Sequence, residues 1–245
     1  MTTPKQLRGV TFLAAQTARS QAYLQALVAN NLHPENVIIL GEDRLLENQD
    51  KQRLDSWQGI ALPDLTEPIS LTCERAGITV SHSPRDEVNA EETMRCILDA
   101  APQVVIYSGV GGQIVSDHIL DSGHRFLHMH SGWLPEYRGS TTLYYALLDG
   151  ELPAVTALFL DRTIDTGPVV AKRHYPKPPF HMDLDQVYDS AIRADLLVQV
   201  MREYETTGIF PLLEHQNPDK GDTYYVIHPV LKHVAILSLS EEATA

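Results

Sequence analysis

Cysteine is scarce in this chain: Cys73 and Cys96 are the only two in 245 residues, far apart and without a CxxC. That excludes a disulfide framework and makes a reducing cytoplasm the default. Positive charge is also short. Nineteen Lys and Arg against 32 Asp and Glu leave a formal net charge of −13. Phosphate backbones are held by clustered Lys and Arg, so no nucleic-acid partner is expected, although a local basic pocket for an anionic small molecule stays open. No run approaches the roughly 18 apolar residues that span a bilayer, so no membrane partner is expected either. The opening MTTPKQLRGVTFLAAQTARS places Lys5 and Arg8 before an apolar stretch. At about seven residues that stretch sits at the bottom of the signal-peptide range, and it reads as a first buried strand. GxGxxG, GxxxxGK[ST] and HExxH are absent as well, so the sequence offers no dinucleotide, P-loop or zinc-protease motif.

What is present is an ordinary globular composition, 43% hydrophobic and 21% charged, on a chain long enough to bury a core. Short apolar runs alternate with helical stretches. GVTFLAA (9–15), NVIIL (36–40), AGITVSH (76–82), PQVVIYSG (102–109) and RFLHMHS (125–131) read as strands. TARSQAYLQALVANN (17–31), DEVNAEETMRCILDA (86–100) and TTLYYALLDG (141–150) read as helices, whereas residues 42–70 carry no assignable pattern. This is the signature of βαβ units, an α/β fold with a mostly parallel twisted sheet and helices on both faces. AVTALFLD (154–161) and PVVAKRHYP (168–176) read as two further strands, antiparallel across RTIDTG. A long helix is expected from Leu184 to Thr207, capped by Asp183 with Gln186 at the reciprocal capping position, and ended by Gly208. The tail DTYYVIHPVLKHVAIL (222–237) reads as one or two short strands, giving an α/β domain over 1–208 and a C-terminal β extension over 209–245.

Ligands in such sheets bind beyond the carboxyl ends of the strands, which makes the loop YSGVGGQ (107–113) a candidate contact. The strand 125–131 adds a second feature. Period-two alternation sends His128 and His130 to one face, with Leu127 and Met129 on the other. Two histidines at i and i+2 can ligate zinc given a third ligand such as Asp165 or His174. They can also serve proton transfer and oxyanion stabilisation, or simply pack with their nitrogens on backbone groups.

The residues after the pair bear on that choice. SGWLPEYRGSTTLYYALLDG (131–150) and FLDRTIDTGPVV (159–170) resemble the formyltransferases that use 10-formyltetrahydrofolate, over roughly residues 102–176. The glycinamide ribonucleotide, methionyl-tRNA and nucleotide-sugar enzymes belong to that family. The resemblance implies a Rossmann-like formyltransferase fold, with 10-formyltetrahydrofolate as co-substrate. It puts the catalytic histidine on His130 and the catalytic aspartate on Asp165. His128 falls where the family has an asparagine that helps hold the formyl oxygen, and Ser131-Gly132 replaces Pro-Ser. The pterin cleft is implied at Gly111, Gly112, Gln113, Ile114 and Val115 on one side and Asp161, Arg162 and Ile164 on the other.

For the acceptor, the resemblance points to a sugar amine of the kind found in surface polysaccharides, nucleotide-linked or of a nonulosonic acid such as pseudaminic acid. It would be met by Ser131, Gly132, Trp133, Tyr137, Arg138, Gly139, Ser140 and Thr141, with Arg138 on a carboxylate or phosphate. The chain length and acidic balance match the methionyl-tRNA enzymes poorly, since those add a barrel domain. The alternatives are a metal-dependent hydrolase or deformylase built on His128, His130 and a carboxylate, and a folate-binding protein without transferase activity. No resident metal is expected on the transferase reading, and the apolar tail is compatible with a homodimer.

Overall fold

The computed structural model describes residues 5–42, 56–217 and 219–241. In chain order its elements are β1 (Lys5–Ala15), α1 (Ala18–Ala29), β2 (Leu32–Leu40), β3 (Ser56–Trp57), β4 (Ile60–Ala61), α2 (Ile69–Ala76), β5 (Thr79–Ser83), α3 (Glu91–Ala100) and β6 (Val104–Ser108). There follow α4 (Asp117–Leu120), β7 (Arg125–His130), β8 (Tyr137–Gly139), α5 (Thr142–Leu148), β9 (Ala154–Phe159), β10 (Val169–His174), α6 (Asp189–Thr207), β11 (Asp222–Tyr224) and α7 (Pro229–Glu241).

Seven strands form one sheet in the order β10-β9-β7-β6-β1-β2-β5. The pairs β5–β2, β2–β1, β1–β6 and β6–β7 are parallel, while β9 runs antiparallel to both β7 and β10. The expected α/β architecture and the antiparallel pair across RTIDTG are both present.

Alternation along each central strand feeds two cores. Val10, Phe12 and Ala14 of β1, Val37 and Ile39 of β2, and Val104 and Ile106 of β6 enter the larger one, with α1, α2, α5, α6 and α7. Leu13, Ile38, Val105 and Tyr107 enter the other, under α3 and α4. The central strands are therefore apolar on both faces, the pattern of a sheet covered by helices on each side.

Asp183 caps the long helix as expected, accepting from the amides of Asp185 and Gln186 at 2.9 Å each, and Gly208 ends it at φ +73. Its first turn, Leu184–Tyr188, is π-helical. The burial of α6 is wider than one stripe. Ile192, Leu196, Leu197 and Val200 join Leu184, Ala191, Ala194, Val198 and Met201, because α6 packs on both the sheet and α1.

Two expectations need correction or completion. The tail holds one short strand, β11, and then the helix α7. Val230, Val234 and Ile236 carry β propensity, but Pro229 opens a helix and Ala235 and Leu239, four apart, bury on one face. Within 42–70, residues 43–55 lie outside the described residues, and the rest supplies the β3–β4 hairpin and the start of α2. Among the described residues no helix is long and apolar enough to cross a membrane.

Candidate active site

The strand β7 ends on His130. Leu127 and Met129 point into the larger core, so His128 and His130 share the opposite face. His130 is 3% exposed. Its Nε2 lies 2.6 Å from the Tyr137 carbonyl oxygen. A carbonyl only accepts, so Nε2 carries a proton and donates it. That leaves Nδ1, which faces Asp165 Oδ2 at 3.4 Å. Gly132 makes the first bond possible: a Cβ there would sit 2.7 Å from both His130 Nε2 and the Tyr137 oxygen.

Asp165 comes from the β9–β10 loop, and its backbone is held at φ +55, a left-handed conformation uncommon for a non-glycine residue. Two contacts outside that loop position it. The Gly139 amide donates to Oδ2 at 2.8 Å, and Gln216 Nε2 donates to the Asp165 carbonyl at 2.9 Å. Gly139 in turn sits at φ +95 under the Tyr224 carbonyl, where any Cβ would overlap backbone. The parallel pairing of β8 with β11 therefore sets where the Asp165 carboxylate lies.

His128 completes the cluster. Its Nδ1 is buried and has no hydrogen-bond partner, and its ring lies 6.1 Å from Tyr107 and 6.5 Å from His130. Desolvation, followed by the charges of Arg19, Arg193 and His130, holds its pKa well below the ordinary histidine value of 6.5. His128 is therefore neutral at physiological pH. One ligand-type atom each from His128, His130 and Asp165 lies within 4.8 Å of the others. His174, the other expected third ligand, is elsewhere, stacked on Trp133 at 4.1 Å between ring centroids.

A charged layer supports the cluster. Arg193 of α6 pairs with Asp189 one turn earlier at 2.8 Å and donates to the Met129 carbonyl at 3.0 Å. Asp189 also accepts from Ser131. Arg19 of α1 donates to Ser108 Oγ at 3.1 Å and to the Gly109 carbonyl, which ties the end of β6 to α1.

Comparison with known proteins adds the lineage. The formyl transferase family matches residues 7–200. The chain belongs to the formyl transferase family. The methionyl-tRNA formyltransferase of Thermus thermophilus is 29% identical over 196 residues, covering 78% of this chain, and the chain spans 60% of that relative. Two solved structures share the fold. A sugar N-formyltransferase from Shewanella sp. FDAARGOS_354 has a TM-score of 0.57 at 15% identity, over 94% of this chain and 87% of that one. The N-formyltransferase from Helicobacter canadensis, in complex with folinic acid and dTDP-3-aminofucose, has a TM-score of 0.56 at 14% identity, over 94% and 80%.

In this chain the remaining expected residues divide into exposed loops and buried supports. On the first loop Gly111 and Gly112 are exposed, Ile114 is 61% exposed, and Val115 is buried. Gln113 is spent locally, accepting from the Val88 amide and donating to the Asp86 carbonyl. On the second loop Ile164 is 47% exposed, Arg162 pairs with Asp121 at 2.8 Å, and Asp161 accepts from the Thr163 amide and the Thr166 hydroxyl.

On the acceptor side Arg138 is a correction. It is 4% exposed and donates to the Asn217 carbonyl at 3.0 Å, so it is packed inside rather than presented to an anion. Ser131 is likewise buried on Asp189, and Trp133 packs between His174 and Lys172. The Ser140 amide and the Thr141 hydroxyl hold the segment at Tyr224–Tyr225. The Tyr137 ring stacks on Tyr224 at 5.5 Å and its hydroxyl donates to Asp149.

Sequence reasoning missed Arg19, Gly139's contact with Tyr224, Asp189, Arg193 and Gln216 as supports of the site. One signal was readable: Asp189 and Arg193 are spaced i, i+4 on the long helix expected from the sequence.

Proposed function

We propose that this chain transfers the formyl group of 10-formyltetrahydrofolate to the primary amine of a small molecule, an amino sugar carried on a nucleotide or of the nonulosonic-acid type. One observation carries the reading: His130 is fixed by a backbone carbonyl at Nε2 and turns Nδ1 towards a buried carboxylate 3.4 Å away. That separation is longer than a well-made hydrogen bond, as expected of a catalytic pair before substrate tightens it.

The chemistry follows from the atoms. The neutral amine attacks the formyl carbon, and a tetrahedral intermediate places negative charge on the formyl oxygen. The nitrogen loses a proton to His130 Nδ1, where Asp165 stabilises the imidazolium that forms. Collapse of the intermediate breaks the bond to N10, which leaves with a proton. His128 stands close to the pair with an unpartnered Nδ1. In the tautomer that protonates this atom, it donates to the developing oxyanion.

Val110, Ile114 and Ile164 support folate binding. They are exposed apolar side chains on the two loops expected around the pterin. The net charge of −13 favours a small acceptor over tRNA. The Helicobacter canadensis enzyme, complexed with folinic acid and an amino-sugar nucleotide, shows that this fold accommodates the pair.

The test is a transfer assay with 10-formyltetrahydrofolate against nucleotide-linked amino sugars, free amino sugars and methionyl-tRNA. Formylation of at least one sugar amine is expected. Formylation of methionyl-tRNA alone, or of nothing in the panel, would overturn the acceptor assignment.

A further inference from the structure

The His130–Asp165 contact has an unmet electrostatic requirement. Nε2 must hold a proton because it donates to the Tyr137 carbonyl at 2.6 Å. In the neutral ring, Nδ1 is then a bare lone pair aimed at Asp165 Oδ2, and two electron-rich atoms at 3.4 Å repel. A cation between or beside them relieves this. A proton on Nδ1 is one such cation, and it serves the transfer chemistry. The third member of the cluster, His128, offers the geometry for another: a ring nitrogen within 4.8 Å of the other two donors, and an Nδ1 that is buried and makes no hydrogen bond.

We infer that His128, His130 and Asp165 form a binding site for a divalent transition-metal ion of the zinc type. Three features of metal sites coincide here. The donors are two imidazole nitrogens and a carboxylate oxygen, a set suited to zinc and its first-row neighbours. They lie within 4.8 Å of one another, so side-chain rotations of about 1 Å bring them to the roughly 2 Å bonds of such an ion. The outer shell is also in place. Metal-bound histidines donate their second nitrogen to a backbone carbonyl or carboxylate, as His130 does to Tyr137, and ligating carboxylates accept further hydrogen bonds, as Asp165 does from Gly139.

His128 creates this possibility. An asparagine at that position would leave one imidazole and one carboxylate, whereas histidine raises the set to three. The nearby Arg19 and Arg193 oppose a cation, but Asp189, paired with Arg193, offsets one of them. A bound metal occupies His130 Nδ1 and blocks its proton transfer. Metal therefore lowers turnover in this site and chelator restores it.

The test reads the metal directly. Chelator-treated full-length chain is titrated with cobalt(II), followed by visible absorption, and with zinc(II), followed by calorimetry. One ion per chain is expected. Affinity should fall about ten-fold or more in His128→Asn and in Asp165→Asn, and stay unchanged in the control His174→Asn. Circular dichroism checks that each variant is folded. X-ray absorption on the zinc-loaded wild type should show two imidazoles and a carboxylate oxygen, which keeps the test valid even if a variant misfolds. No saturable binding up to about 100 µM, wild-type affinity in the two ligand variants, or a ligand set without two imidazoles would overturn the inference. It does not rest on the transferase reading. A failed titration leaves formyl transfer standing, and a failed transfer assay leaves the metal result standing.

Discussion

His130 has Nε2 on a backbone carbonyl and Nδ1 turned towards a carboxylate before any substrate arrives, and that fixes what its neighbours must do. The Tyr137 carbonyl decides the tautomer, and on the proposed mechanism Asp165 would stabilise the imidazolium formed at Nδ1. Replacing His130 with Ala, or Asp165 with Asn, should lower formyl-transfer turnover by about a hundred- to ten-thousand-fold, with an unchanged circular dichroism spectrum. Wild-type rates in either variant would remove the pair from the mechanism. His128 makes a different prediction. Unfolded, it takes up a proton near its ordinary 6.5, and folded it does so only well below that value. The unfolded state thus binds more protons as pH falls through 6.5, so this contribution to stability is complete above 6.5 and lost on acidification. Melts from about pH 7 down to about pH 5 should show the wild type losing stability faster than His128→Asn, by up to about 1.4 kcal/mol per pH unit. Parallel curves would mean that His128 titrates normally in the fold.

At the scale of elements, strand alternation and helix caps were legible because they are local. The period of two placed His128 and His130 together, and Asp183 and Gly208 marked the ends of the long helix. The supports of the site were not legible, because they come from contacts distant in sequence. The resemblance put Arg138 on an anion of the acceptor, yet the 217 region packs over it. The tail looked like strands because Val and Ile favour them, and packing against α5 decided for a helix instead. The Asp189–Arg193 pair on α6 lies half within this distant class, since its partners Ser131 and Met129 are far away in sequence. Asp189→Ala would leave a nearly buried guanidinium without its counter-charge. A loss of about 3–5 kcal/mol in denaturant unfolding is expected, against less than about 0.5 kcal/mol for an ordinary surface change. A loss in the surface range would show that solvent reaches Arg193.

At the scale of the whole molecule, α7 closes one core and leaves an apolar outer face. Ala235 and Leu239 are buried, whereas Val230, Leu231, Val234 and Leu237 are 43–63% exposed. A homodimer through this face would account for such exposure. Light scattering at micromolar concentration should give the mass of two chains for the wild type and of one for Val234→Glu. A single-chain mass for both would assign the face to something else. The same region has a temporal consequence. Thr141 beside the site bonds Tyr225, 84 positions later, and β8 takes its place against β11. During synthesis the sheet can assemble while the Gly139 amide still lacks the strand that fixes it. A nascent chain that already carries His128, His130 and Asp165 would therefore hold all three groups without their working arrangement. On the proposed function, competence would arrive only when the distal segment has left the ribosome and β11 has paired with β8.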